Sequence, residues 1–192
     1  MKKIALCLTL VTALGIGVFT KDAAKKEVPV EYMHASWSHN YGSIEETSKN
    51  SDLVAVIKVN ETEKEYTDKN NIPYTNYNVE VLDSVSKDNK DKDNITIVMT
   101  GVDNDERHVE FDDDPLLKED EEFLVFLKEN KDGTYKILGG PSGRLTFDED
   151  SNSVTSLCLS NEQVKEANPY VALKVDNENV DSVLDKARQS IK

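Results

Sequence analysis

The sequence predicts a mainly β protein, a small closed barrel or sandwich with a short helix before it and another after it. Three observations carry that expectation. Short apolar runs recur along the middle of the chain, several of them with period-two alternation. Polar turn signals rich in Gly, Asn and Asp separate them at regular intervals. Helical signatures appear only outside that region.

Ser43-Ile44-Glu45-Glu46 is a capping box and opens a short helix ending near Asn50. Residues 53–59 are apolar on both faces, with Leu53, Ala55, Ile57 and Val59 on one side. Such a strand is covered on both faces. A polar loop is expected over 60–71. Tyr77, Val79 and Val81 then alternate with Asn78 and Glu80, which leaves one face in water. Ile95, Ile97 and Met99 repeat the pattern, Val109 and Phe111 mark a short strand, and residues 123–127 form a second fully apolar one. Asp132-Gly133, inside a polar link, signals a hairpin whose return strand carries Tyr135 and Ile137. Gly139-Gly140-Pro141-Ser142-Gly143 reverses the chain again, its glycines supplying positive φ, and its amides are also a candidate anion cradle. Leu145 and Phe147 form the next strand, with Arg144 and Thr146 facing outward, and a polar turn leads into a strand over 154–159. Ser160-x-x-Gln163 is a second capping box, opening a short helix that stops before Pro169. The last helix spans 178–191, and its stripe of Val180, Val183, Leu184, Ala187 and Ile191 is expected to pack on the barrel.

The organisation follows. Met1, Lys2 and Lys3 precede an uncharged run from Ile4 to Thr20, so residues 1–20 read as a signal peptide. The run is short beside the roughly 20 residues of a membrane span. An uncleaved N-terminal anchor is the alternative. Residues 21–42 read as a linker and N-terminal segment, 43–159 as the barrel domain and 160–192 as a C-terminal helical segment. The protein is therefore expected to be secreted or associated with the cell surface, without stable membrane insertion once the signal is removed. Arginine occurs only at 107, 144 and 188 against many lysines, which points to an AT-rich bacterial genome. The short double-lysine signal suits a Gram-positive cell.

Net charge is −14, and loss of residues 1–20 would remove Lys2 and Lys3 but no acid. Such a surface repels nucleic acid and anionic membrane. Of the two cysteines, Cys7 leaves with the signal, so Cys158 has no internal disulfide partner and is expected to be a buried, inert thiol.

The segment from Ser51 to Val59, the strand from Thr75 to Val81, Pro115-Leu116-Leu117 before an acidic turn, and the turn from Gly139 to Arg144 resemble secreted bacterial proteins of unknown function. The likeness covers residues 43–157. The order of helix, Ser-Asp, apolar strand and long loop is also similar to the netrin-like modules of tissue inhibitors of metalloproteinases. That resemblance implies an OB-like, five-stranded barrel and a role in binding proteins outside the cell. Those modules inhibit through an N-terminal cysteine and are disulfide-bonded. No cysteine lies between Cys7 and Cys158, so the inhibitory chemistry has no residue here to carry it.

Candidate binding residues are Arg144, Trp37 and Tyr77. Arg144 is the only arginine of its barrel segment, Trp37 is the sole tryptophan, between His34 and His39, and Tyr77 opens a strand with a solvent face. Asp148-x-Asp150-x-Asn152 is similar to the first half of a calcium loop, although Ser153 and Leu159 stand where an EF-hand has glycine and glutamate. Asp112, Asp113 and Asp114 form a second candidate calcium patch. No serine sits in a nucleophile elbow and no histidine has a recognisable partner segment, so no catalytic residue is assigned. The expected function is an exported, non-catalytic module that binds an extracellular or cell-envelope protein and needs no cofactor. A calcium-dependent surface module and a small secreted hydrolase are the alternatives.

Overall fold

The computed structural model describes residues 28–192 apart from Ser38. The signal reading of residues 1–20 lies outside them, as does the start of the linker. Among the described residues no helix is long and apolar enough to cross a membrane.

The described chain opens with strand β1 (Val30–Met33) and helix α1 (Ile44–Asn50). Part of the predicted linker is therefore a strand. Ser43 caps α1, its hydroxyl accepting from the Glu46 amide at 3.1 Å. Glu46 reaches back as a capping box requires, but to the amide of Gly42, one residue earlier than expected, at 3.0 Å.

Strands β2 (Leu53–Thr67), β3 (Pro73–Ser86) and β4 (Asn94–Thr100) form an antiparallel meander. The small strands β5 (Val102–Asp103) and β6 (His108–Phe111) leave it to build a separate three-stranded sheet with β1. Strand β7 (Glu122–Glu129) returns beside β2, and β8 (Tyr135–Ile137) folds back on β7 and pairs in parallel with β4, Ile97 opposite Tyr135. The ring β2-β3-β4-β8-β7 is a closed five-stranded barrel. Irregularities in β2 after Val56, Val59 and Thr62 increase its local bend, as a small barrel requires. Beyond the barrel, β9 (Arg144–Asp148) and β10 (Ser153–Ser156) extend the sheet from β7.

The fully apolar strands are explained by two cores. Leu53, Ala55, Ile57 and Val59 of β2 face the barrel interior with Tyr77, Val79, Ile97, Val125 and Leu127. Val54 and Val56, with Leu124 and Phe126 of β7, face the other way into a second core. That core is closed by α1 and by the C-terminal helix α4 (Val180–Ser190), whose stripe of Val180, Val183, Leu184 and Ala187 is buried there. Both expectations hold.

Three expectations need correction. The loop over 60–71 is a continuation of β2. Only residues 68–72 turn, held by Asp68, whose carboxylate accepts from the amides of Asn70 and Ile72 at 2.9 Å each. Both faces of that stretch lie in water, so it carries no apolar alternation. The strand over 154–159 ends at Ser156 and becomes helix α2 (Leu157–Ser160). Helix α3 (Glu162–Ala167) is capped by Asn161, which accepts from the Val164 amide, and Ser160 instead pairs with Thr146 at 2.8 Å. A two-residue strand, β11 (Glu178–Asn179), pairs with β10 just before α4.

Candidate functional site

The acidic run at 112–114 follows β6, where the chain leaves its sheet and bends. Its three side chains diverge onto three parts of the fold. Asp112 Oδ2 lies 2.7 Å from His34 Nδ1. Asp113 Oδ2 accepts from Trp37 Nε1 at 2.7 Å and from Asn168 Nδ2 at 3.0 Å. Asp114 Oδ1 accepts from Arg144 Nη2 at 2.9 Å. The Asp112 carbonyl also accepts from Gln163 Nε2 at 3.2 Å. The run thus clasps the N-terminal segment, the barrel extension and the segment around α3.

Carboxylates spread in this way cannot converge on an ion. Among the described residues no group of three or more His, Cys, Asp or Glu side chains could hold a metal. The predicted calcium patch is a clasp.

Arg144 was expected to face outward and is instead 1% exposed. Register explains it. Arg144 pairs with Val125, whose side chain faces the barrel interior, whereas Leu145 pairs with Leu124 on the helix side. Both faces of β9 are covered at this point, so the outward reading fails. The guanidinium lies 5.2 Å from the Phe123 ring and donates to the Pro115 carbonyl at 2.8 Å.

Among the described residues the buried charged side chains are Glu110, Asp113, Asp114 and Arg144, three acids and one base. Glu110 accepts from the Leu116 amide at 3.1 Å. Asp113 Oδ1 and Arg144 Nε are buried without a hydrogen-bond partner there. Burial is the largest influence on Asp114 and pushes its pKa up to about 6, against the attraction of Arg144 and with the help of Asp113 and Glu110.

The other candidates are also committed to structure. Trp37 is half-buried, edge-on to Phe111 at 5.6 Å. Its indole lies where a Cβ on Gly140 would sit, 2.4 Å from that position. Gly139 and Gly140 have φ of 66° and 55°, as expected of the turn. Tyr77 is 3% exposed inside the barrel, and burial drives its hydroxyl pKa upward, so it offers no contact surface. Asp148 closes the tip of the β9–β10 hairpin, accepting from the Ser151 hydroxyl at 2.8 Å and the Asp150 amide at 3.1 Å. Asn152 there adopts φ of 48°. The Asp148, Asp150 and Asn152 pattern is accounted for by this turn. Cys158 is buried in α2, and burial raises its thiol pKa, which keeps it in the unreactive form. With Asp148 held in its turn and the three clasp aspartates directed to different elements, the Tm of the full chain is expected to coincide in EDTA and in about millimolar calcium. A clear rise with calcium would contradict that geometry.

A cleft of about 340 Å³ adjoins the clasp, between β6, β7, β9 and α3. Arg144 and Glu110 form part of its wall. His108 sits there between two acids, Nδ1 3.3 Å from Asp103 and Nε2 3.6 Å from Glu110. It is half-buried, and its partners come from β5 and from two residues along its own strand.

Neither a family model nor a curated protein matches the chain.

Proposed function

We propose that the chain is an exported, non-catalytic β-barrel module of OB type that binds a protein or cell-envelope component outside the cell. The observation that carries the binding reading is the free edge of β2. Strand β7 covers β2 only from Leu53 to Lys58, and among the described residues no strand pairs with the outer edge of residues 60–67. That stretch is exposed apart from the half-buried Glu65 and carries Glu61, Glu63, Lys64 and Glu65, of which Glu63 accepts from the Thr96 hydroxyl and Glu65 from the Asn104 side chain. Near its end Tyr66 stacks on Tyr74 of β3 at 5.5 Å, with the Lys64 ammonium 5.1 Å from the Tyr66 ring.

An open edge is a template for one more strand. Charges and bulges along it oppose pairing with a second copy of itself. The acidic excess favours an extended segment carrying lysine or arginine. The meander closed by a parallel β4–β8 pair supports the OB-type assignment. Export rests on the charged start and uncharged run of residues 1–20. No cofactor enters this reading.

Replacing Glu61, Glu63 and Glu65 together by lysine is expected to weaken binding of the protein to isolated cell envelopes by about tenfold or more, with unchanged circular dichroism. A triple variant retained as well as the wild type would contradict the edge as the contact.

One observation favours a second reading as a small hydrolase: the Asp103, His108 and Glu110 array on the cleft wall. An imidazole between carboxylates has the components of a general base. Turnover of p-nitrophenyl acetate that disappears in His108→Ala would support it; equal turnover in both proteins would remove it.

A further inference from the structure

The N-terminal segment 30–37 lies along the barrel, held at one end by the β1–β6 pairing and at the other by the clasp. Between it and the barrel wall is a cavity of about 400 Å³ with Trp37, Phe111, Met99, Ile137 and Asp114 in its lining. The buried charges that hold the clasp are unbalanced, three acids against Arg144. We propose that residues 112–114 form a proton-operated latch: a proton on the buried acid cluster keeps segment 30–37 seated, and loss of that proton loosens it and opens the cavity beneath.

Burial sets the direction for Asp114, and the charged groups that face it adjust it. Arg144 from β9 favours its charged form, while Asp113 on the same loop and Glu110 from β6 oppose it. Lys136 of β8 and His34 of the N-terminal segment line the same cavity, and His108 lies against Glu110. In acid, one proton relieves the repulsion among Asp113, Asp114 and Glu110. At higher pH the full repulsion returns.

The folded-state pKa of Asp114 is raised, so the folded protein holds a proton that the unfolded chain has released between about pH 4 and about pH 6. The contribution of this group to stability is present below that window and falls as pH rises through it. Trp37, the sole tryptophan, bonds directly to Asp113 and reports the latch.

The experiment is Trp37 emission and hydrogen exchange of residues 30–37 in the full chain as a function of pH. From about pH 5 to pH 7.5 the emission is expected to shift to the red, and exchange, corrected for its intrinsic rate, to accelerate about fivefold or more. The midpoint is expected at about 6. Asp114→Asn is expected to abolish the transition, and Glu110→Gln, which removes one opposing charge, to move it to lower pH. His34→Ala is expected to leave it in place. A flat wild-type profile would overturn the proposal, as would a transition that survives Asp114→Asn or vanishes in His34→Ala alone. Should Asp114→Asn fail to fold, an unshifted midpoint in Glu110→Gln overturns it.

Discussion

Arg144→Met is expected to destabilise the protein by about 3–5 kcal/mol at neutral pH, the cost of removing one partner from a buried ion pair. The guanidinium is the only buried cation among the described residues and faces Asp114 at 2.9 Å, with Asp113 and Glu110 close by. Methionine fills a similar volume beside Phe123 but leaves three buried acids without a base. Because Asp114 takes up a proton near pH 6, the loss is expected to be smaller at pH 5 than at pH 7.5. Asp114→Asn keeps a hydrogen-bond acceptor for Arg144 and removes one of the three negative charges, so it is expected to cost less than half as much. Urea unfolding of the three proteins at both pH values measures these differences. Equal losses for the two variants, or a loss in Arg144→Met that does not depend on pH, would contradict the unbalanced cluster.

Gly140→Ala carries the second large effect. Its φ is +55°, and an added Cβ would lie 2.4 Å from the Trp37 ring, so the backbone is strained and the indole is displaced. About 3 kcal/mol or more is expected, backbone strain and overpacking acting together. Gly133 supplies the control. Its φ is +84°, but a Cβ there would meet nothing within 4 Å. Gly133→Ala is expected to cost only about 1 kcal/mol, the conformational part alone. Near-equal losses would show that Trp37 is not seated on Gly140. Trp37 emission distinguishes the two variants directly, because only Gly140→Ala moves the indole away from Asp113.

The barrel was legible because its signals are local. Residues 53–59 and 123–127 are apolar on both faces, and each does separate two cores. Ser43 with Glu46, Asp132-Gly133 and the stripe of α4 each state their element within a few positions. The mispredicted elements depend on partners distant in sequence. Strand β1 is mostly exposed and exists through its parallel pairing with β6, so residues 30–33 carry no period to read. Residues 60–67 extend β2 with both faces in water, and composition alone reads them as loop. Arg144 was assigned outward on the assumption that β9 has one wet face. Its register beside β7 covers both.

The site was less legible than the fold. Asp112, Asp113 and Asp114 stand out as an acidic run, but Trp37 lies 76 positions from Asp113, and Arg144 lies 30 positions from Asp114. A run of acids in sequence says nothing of whether its side chains converge or diverge. Here the bend after β6 sends each to a different element, and a candidate ion site becomes a clasp. The free edge of β2 had no sequence signal either, since it is defined by where β7 stops.

The central functional claim is that this edge receives a strand from a partner outside the cell. A photo-crosslinking residue in place of Thr62, exposed midway along the free stretch, tests it in growing cells. The expected result is a crosslink from Thr62 to an extended, lysine- or arginine-bearing segment of one envelope or extracellular protein, with none from Glu178 at the far edge of the sheet. Equal crosslinking from both positions, or none from Thr62 in protein recovered from the envelope, would contradict strand addition as the way this barrel binds.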